Sequence, residues 1–554
     1  MYFNWTPIEF RPPPELRGEG GSAEVVIVGG GPVGLAMALG LARFGVRSIV
    51  VEARGTISEG SRALAMSRRS MQILDQLGVG ERFMEKALTW SAGWTYYGTQ
   101  IVHEMSIASP ANEKHGQTNL QQCWAEQIML DRIQAQDLAE VRFHSKVVAL
   151  RSDADGVTLR VSTPEGDYDL RAGYVVAADG PRGVMRKLAG IEYQGASFAQ
   201  RFVINDILTD ISLPVGRRLF FSPPYLPGKT VLMHKAPFGM WRLDFQLMDD
   251  QDAEEEMRPE KVHARIVEHF KLLGLPAEYQ LLLTSMYRAN ALSLPTYNAG
   301  RILFAGDAAH QVPIFGGRGV NHGYADTHNL AWKLGMVMRG ISDARILDSY
   351  TQERRGAILD TLADLSKTTL FITTPSPGLS LMREAVLSLS VQEAFLDQLF
   401  DPYASAPYNY TDSSLNGPSE DLLFSGGTAV GAVIPDCPAA VGPARLYDLF
   451  GPHFTCLYFA GSAGDGTHLP ELGRLCKGAV PLVCIVVGNA DLAKEFRLRS
   501  FDGGPLLADL LDAAPGALYL LRPDNRVAAR WINFDSTGIG NALAIAAAIS
   551  GRSL

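Results

Sequence analysis

Three things are scarce in this chain, and each scarcity closes off a class of function. No apolar run approaches the roughly 20 residues a helix needs to cross a bilayer; the stretch 479–487 is far too short. Basic residues are outnumbered, 50 against 59 acidic ones, and the formal charge is −9. That argues against nucleic acid or an anionic membrane as partner, because either needs a basic surface. Cysteine is rare too: five residues, at 123, 437, 456, 476 and 484, with no C-x-x-C pair and no metal-ligand spacing. This usage suits a reducing cytoplasm. Cys456 lies inside an apolar run with no neighbour of its kind nearby, so packing is the better reading than redox chemistry. Residues 1–23 lack the basic-then-apolar order of a signal peptide and, rich in Pro and Gly, read as a loose arm.

What is present is a globular composition, 47% apolar and 20% charged. The 554 residues exceed what one hydrophobic core supports, so two to four domains are expected.

The β-branched run 24–28 leads at once into Gly29-Gly30-Gly31-Pro32-Val33-Gly34. A helical stretch over 33–44 and a strand over 48–51 follow, the strand ending in Glu52. This is the strand–GxGxxG–helix–strand–acid order of a dinucleotide-binding unit. Gly29 permits the tight turn, Gly31 lets the backbone reach a pyrophosphate, and Gly34 lets helix pack on strand. Glu52 is placed to hold a ribose hydroxyl. The motif leaves FAD and NAD both open.

Two further strands end in an acid beside a glycine. Residues 174–178 run into Asp179-Gly180, and 302–305 run into Gly306-Asp307, then a glycine-rich turn and a helix from about Asn321. An acid at such a corner can accept hydrogen bonds from a polyol, such as the ribityl chain of a flavin, each worth roughly 1.5–3 kcal/mol. The turn Gly316-Gly317-Arg318-Gly319 has almost no bulk, so a flat ring can lie against it, with the helix N-terminus aimed at the ring. Arg62, at the start of an amphipathic stretch ending at Gly78, could reach a pyrophosphate. Gln122 opens a helix over 125–138 and could touch the cofactor.

From about 196 to 287 the texture changes to short aromatic and β-branched segments, which predicts an antiparallel sheet covered by an acidic helix over 252–273. Residues 100–118 read as a loop or an excursion into another domain. The predicted fold class is α/β, and the predicted division is an arm (1–23), a dinucleotide-binding domain in two parts (24–195 and 288–375), an inserted substrate-binding sheet domain (196–287), a helical or linker segment (376–418) and a last unit (419–554). Strands are predicted in that unit over 455–460, 480–487, 517–521 and 526–531, with a helix over 540–549.

Taken together, Gly29–Gly34, Asp179-Gly180, Gly306-Asp307-Ala308-Ala309-His310, Asn329-Leu-Ala-Trp-Lys-Leu334 and Tyr350-Thr-Gln-Glu-Arg-Arg355 resemble the class A flavoprotein aromatic hydroxylases. Within that group the chain looks most like the 3-(3-hydroxyphenyl)propionate hydroxylase members. The resemblance covers roughly 24–360. It implies a Rossmann-like FAD-binding domain, bound FAD, NADPH or NADH as co-substrate, O2, and a small phenolic substrate that gains one oxygen atom through a flavin C4a-hydroperoxide. It also implies a thioredoxin-like C-terminal domain without a redox cysteine pair, and leaves a homodimer open. Carried over, Glu52 binds ribose, Arg62 and Gln122 lie along the FAD, and Asp179 with Gly180 sits near the pyrophosphate. Asp307 holds the ribityl hydroxyls, and Pro313, Gly319, Val320 and Asn321 flank the isoalloxazine. Three positions depart from the pattern: Gly183 where Ser is common, Cys123 where Pro is common, and Leu292 where Arg is frequent, which leaves the choice of nicotinamide cofactor open.

A phenol near pKa 10 attacks better once ionised, so a base or proton relay is expected in the inserted domain. His234 and Arg242 are the candidates, as relay and as anchor for a substrate carboxylate. The histidines 310, 322 and 328 come without an evident carboxylate shell, so no metal is expected. A Baeyer–Villiger or epoxidising monooxygenase would share every flavin feature. A dehydrogenase would leave Asp179 and Asp307 unused, and a non-enzymatic flavin-binding protein would need a closed cavity.

Overall fold

The computed structural model describes residues 3–60, 63–107, 110, 112–248, 250–390, 393, 396, 407–442, 444–460, 466–532 and 536–549. Strand β1 (Ala23–Val28) leads into helix α1 (Pro32–Arg43), and β2 (Ser48–Val51) follows. After helix α2 (Arg68–Gln76) and the long strand β3 (Gly166–Ala177), the chain runs through β4 (Gln194–Leu208), β5 (Thr230–Lys235) and β6 (Met240–Gln246). It returns as β7 (Ile302–Phe304) and two long helices, α3 (Arg318–Met338) and α4 (Asp348–Thr373).

The first sheet places β7, β3, β1 and β2 side by side and all parallel, with Ala139–Arg142 beyond β2. Val25, Val26 and Ile27 are completely buried, as expected of a parallel strand covered on both faces. Each such side chain contributes roughly 1.5–3 kcal/mol on burial. Helix α1 lies so close to α3 that a Cβ on Gly40 would stand 2.8 Å from the Cβ of Ala331.

The second sheet is antiparallel apart from one parallel pair and has eight strands, in which β4, β6 and β5 are consecutive neighbours. It also takes in Ala92–Tyr97 and Gln100–Ser106, upstream of the predicted segment, so the excursion was the right alternative for residues 100–106. Gln280–Ser293 extends it past residue 287. The acidic helix expected over 252–273 is broken into Ala253–Glu256 and Pro259–Leu272, because Pro259 lacks an N–H and can only start a helix. It packs on the sheet face carrying Val203, Trp241, Leu243 and Phe245.

Residues 375–377, read as linker, run straight into a helix, Pro377–Ser390; part of the expected linker over 402–417 lies outside the described residues. The last sheet orders Arg499–Phe501, Leu482–Val487, Phe454–Phe459, Leu518–Leu521 and Val527–Trp531. The first three are parallel and the last two antiparallel. Arg499–Phe501 was missed, being too short and polar to carry a period. Cys456 has a neighbour after all: Cys484 stands in register with it on the adjacent strand. Both are buried, and burial pushes both thiols up, which keeps them protonated and unreactive. Among the described residues no helix is long and apolar enough to cross a membrane.

Candidate active site

Because β7, β3, β1 and β2 run parallel and adjacent, their carboxyl ends line up along one edge at strand spacings of about 4.8 Å. That edge brings Asp307, Asp179, the Gly29–Gly34 turn and Glu52 into one row, although the sequence spreads them over more than 250 positions. Ligands of open α/β sheets bind at this edge.

The turn is as tight as its glycines allow. A Cβ on Gly34 would stand 1.9 Å from the Gly29 carbonyl oxygen, whereas one on Gly31 would meet nothing within 4 Å. The open side at Gly31, followed by the start of α1, fits a pyrophosphate. Glu52 accepts the Gly30 N–H at 2.7 Å and, through its other oxygen, the Arg54 N–H at 2.9 Å and Nε at 2.8 Å. Burial pushes this carboxyl up, but Arg54 and the two backbone donors outweigh it, so Glu52 stays ionised. A carboxylate has about four acceptor sites, which leaves room for a ribose hydroxyl.

Asp179 caps the following turn, accepting the Met185 N–H at 2.9 Å, and burial raises its pKa. The departure at Gly183 has a steric reason here: a Cβ there would lie 2.0 Å from the Asp179 carboxyl carbon. Asp307 sits in a short 3-10 turn, Gly306–Ala308, whose carbonyl at 307 accepts the Tyr193 hydroxyl at 2.6 Å.

Helix α3 begins at Arg318, three residues before the sequence reading, with Gly317 in the left-handed region at φ 63°. Its first turn therefore carries Gly319, Val320 and Asn321, next to buried Pro313. Asn321 ties this turn to the loop before α2: its Nδ2 donates to the Ala65 carbonyl at 3.0 Å, and its Oδ1 accepts from Ser67 N at 2.8 Å and Ser70 Oγ at 2.6 Å. Gln122 braces the same loop from behind, accepting from Ala63 N at 3.3 Å and donating to Glu126 at 2.8 Å. Its neighbour Cys123 is buried in the first turn of Gln122–Gln134, where a proline would also fit. Arg62 lies outside the described residues.

Beneath the Asp307 corner is a buried ionic group that sequence reasoning missed. Asp326 accepts the Gly306 N–H at 2.9 Å, His310 Nε2 at 2.6 Å and Arg354 Nε at 2.7 Å. The available signal was a polar stripe, Asp326, Asn329 and Lys333, on the buried face of the helix.

The antiparallel sheet turns its other face to these loops. Leu208 and Met240 pack with Leu64, and Phe202 packs edge-on to Phe315 at 5.4 Å between ring centres. Between those two contacts the alternation of β4, β5 and β6 puts Asp206, His234, Arg242 and Asp244 on the same face. Arg242 is held by Asp206, Nε to Oδ1 at 2.7 Å and Nη2 to Oδ2 at 2.9 Å. That fork is therefore occupied by an internal carboxylate, which weighs against a substrate anchor at Arg242. His234 stands in register with Arg242 on one side and Arg217 on the other. Burial first, then these two cations, pull it down to about 3, so it is a neutral imidazole at ordinary pH.

Asp244, which sequence reasoning passed over, is 5% exposed, and its Oδ1 meets no donor among the described residues. Burial pushes it up to about 7, with Arg242 opposing and Asp206 assisting. Nothing local marks it, since an Asp in a strand reads as solvent-facing. Leu292 lies one strand in from the far edge of the same sheet, paired with Gly195 on one side and Gln311 on the other.

Residues 22–363 match the family described as FAD binding domain. Among curated proteins, a 3-(3-hydroxy-phenyl)propionate/3-hydroxycinnamic acid hydroxylase of Paraburkholderia xenovorans is 29% identical over 338 residues, 60% of this chain and 53% of that protein. The match thus spans only about half the length of that relative. A second protein of this description, from Burkholderia vietnamiensis, is 27% identical over 540 residues, 94% of this chain and 95% of its own. Among solved structures, the flavin-dependent monooxygenase PieE in complex with FAD and substrate superposes with a TM-score of 0.80 at 22% identity, covering 95% of this chain and 98% of that one. The mixed α/β fold is therefore the one seen in flavin-dependent monooxygenases. With the glycine turn open at Gly31 and the acids of β2, β3 and β7 converging on one edge, the protein belongs to the FAD binding domain family.

Proposed function

We propose that this protein is an FAD-dependent monooxygenase that hydroxylates a small phenolic substrate, using NADPH or NADH and O2. When bound, FAD supplies the chemistry: it takes electrons from the nicotinamide and activates oxygen for transfer of one atom. The protein supplies position, dryness and charge. Glu52 holds the adenosine ribose, the Gly29–Gly34 turn and Asp179 flank the pyrophosphate, and Asp307 takes the ribityl hydroxyls. Pro313 and the 319–321 turn line the isoalloxazine, and α3 directs its partial positive charge at the ring.

The observation that carries the reading is Asp244: a buried carboxylate on the face turned to the flavin loops, with an oxygen that no described group satisfies. It accepts the phenolic proton and so makes the ring a stronger nucleophile. Neutral His234, beside Arg217 and Arg242, is placed to pass that proton outward. The relatives described as hydroxylases support the same reaction class.

The same proposal divides the chain into an arm (1–23), an FAD-binding domain (24–195 and 288–375), a substrate-binding sheet domain (196–287, with the strands at 92–106 added), a helical segment (376–418) and a C-terminal domain (419–554). The order of three parallel and two antiparallel strands supports a thioredoxin-like tail, and the buried, protonated thiols of Cys456 and Cys484 support a cytoplasmic location. The net charge of −9 supports a reading without a nucleic-acid or anionic-membrane partner.

The test is NADPH and NADH oxidation in air by FAD-loaded protein with a panel of phenols. Phenol-stimulated oxidation with a product one oxygen heavier is the expected result. Oxidation that no phenol stimulates, or that yields only hydrogen peroxide, would sink the proposal.

A further inference from the structure

Along the start and outer stripe of α3 is a cavity of about 290 Å³, lined by α2, α3, α4 and the C-terminal segments around Tyr408 and Arg526. Gly323 faces Val33 and Gly306, whereas Arg318, His322, Ala325 and Asn329 recur at helical spacing on the opposite stripe and line the cavity. The cavity thus runs along the stripe of α3 opposite Gly323 and reaches the flavin corner at Gly316 and Asn321.

The cavity has an unusual charge balance. One lining cation is compensated by a buried acid close by: Arg354 bonds Asp326 at 2.7 Å, and just behind the wall Arg522 bonds both Glu353 and Asp524. Two others are not. Arg69 donates only to neutral acceptors, the Asp524 carbonyl at 2.9 Å, Gln72 at 3.1 Å, His328 Nδ1 at 3.3 Å and the Tyr447 hydroxyl at 3.4 Å. Arg526, 6% exposed, donates to the Gly431 and Tyr408 carbonyls at 2.6 and 2.9 Å and stacks 3.5 Å over the Tyr410 ring. Neither meets a carboxylate within ion-pair distance among the described residues. Asp360 and Asp364 line only the exposed mouth. His328 accepts from Arg69 and donates Nε2–H to Gln76 at 2.7 Å, so it is neutral and adds no counter-charge.

A guanidinium that is buried, as at Arg526, or half-buried, as at Arg69, is costly without a bonded carboxylate. A second observation points the same way. Asn329, 1% exposed, has its amide nitrogen fixed by Glu353 at 2.6 Å, which leaves its Oδ1 as an acceptor with no donor among the described residues. We propose that this cavity binds a small molecule carrying an oxyanion, a phosphate or a carboxylate, through Arg69 and Arg526. A ligand that also carries a hydroxyl, as monohydrogen phosphate or a hydroxy acid does, supplies the donor that Asn329 lacks. The bound anion then joins the C-terminal unit to α2 and α3.

The test uses full-length, FAD-loaded protein at constant ionic strength, titrated calorimetrically with inorganic phosphate and, separately, with benzoate. Wild type should bind one of them saturably and melt at a higher temperature when it does. Each of Arg69→Gln and Arg526→Gln should weaken that binding about tenfold or more, the loss expected for one charge-assisted contact. Both should keep the flavin absorbance, and Arg160→Gln, an exposed arginine elsewhere, should leave affinity unchanged. Displacement of phosphate by benzoate assigns a carboxylate ligand; phosphate binding that benzoate does not touch assigns a phosphate. Should either arginine variant lose its flavin, the other decides. No saturable binding of either probe, or equal affinity in both variants and wild type, overturns the proposal.

Discussion

The two surfaces that face the flavin site are built on different principles. The edge of the parallel sheet is made of backbone: turns, helix starts and acids that sit one to three residues past a strand. The face of the antiparallel sheet is made of side chains, with Asp206, His234, Arg242 and Asp244 set in neighbouring rows of a dry surface. A backbone site depends on close approach, so it fails when bulk is added. A side-chain site depends on which groups are charged, so it fails when a proton or a partner is removed.

The largest effect should come from adding bulk to the backbone site. Gly34→Val should abolish FAD retention, because even a Cβ would lie 1.9 Å from the Gly29 oxygen; purified protein without absorbance near 450 nm, roughly the usual flavin band, is the expected readout. If that variant binds FAD normally, the turn does not hold the cofactor.

Removing the charge from the side-chain site should spare FAD and cost rate. Asp244→Asn should lower kcat/KM by about 10²–10⁴-fold, the usual worth of a general base. The pH dependence follows from the same group. Its pKa in the folded protein is raised to about 7, so the basic form appears above that pH, and wild-type kcat/KM should climb as pH passes about 7. In Asp244→Asn that limb should vanish. A limb that persists would assign the proton transfer to another residue.

The buried ion group joining α3, α4 and the C-terminal unit sharpens the comparison from outside both surfaces. Lys333 Nζ and Arg522 Nη1 reach Glu353 at 2.7 and 2.5 Å with all three side chains fully buried. Breaking it with Glu353→Ala should cost about 3–5 kcal/mol, read as a lower midpoint in urea. Burial pushes Glu353 up, but Arg522 and Lys333 hold it well below the ordinary value near 4.5. Its contribution is therefore complete above that value and is lost as pH falls through the lower folded-state pKa, so the variant and wild type should converge in acid.

The smallest effect should come from Gly183→Ser, the residue common in similar proteins. Here its Cβ would displace the Asp179 carboxylate, a strain of about 1–3 kcal/mol. A several-fold weaker FAD affinity is expected, with folding intact.

Local sequence was enough wherever a function rests on consecutive residues. The glycine turn, the acids at strand ends and the helix after Gly317 all carry their geometry within a few positions, and a motif spanning them is readable without a fold. Helix ends and broken helices were less legible, since Pro259 and Gly317 change the start by only a few residues. The roles of Asp244, Asp326, Arg354 and Arg522 were not legible at all. Each is an ionisable residue in a stretch whose pattern does not say whether it faces water, and its role comes from partners tens to hundreds of positions away.

The amino-acid order by itself therefore determined the glycine turn, the acids past the strand ends and the family, because these depend on short-range backbone constraints. Only the tertiary structure decided which charges are buried, which are paired and which are left to meet a ligand. Burial and pairing are properties of packed surfaces, and no local run of residues contains them.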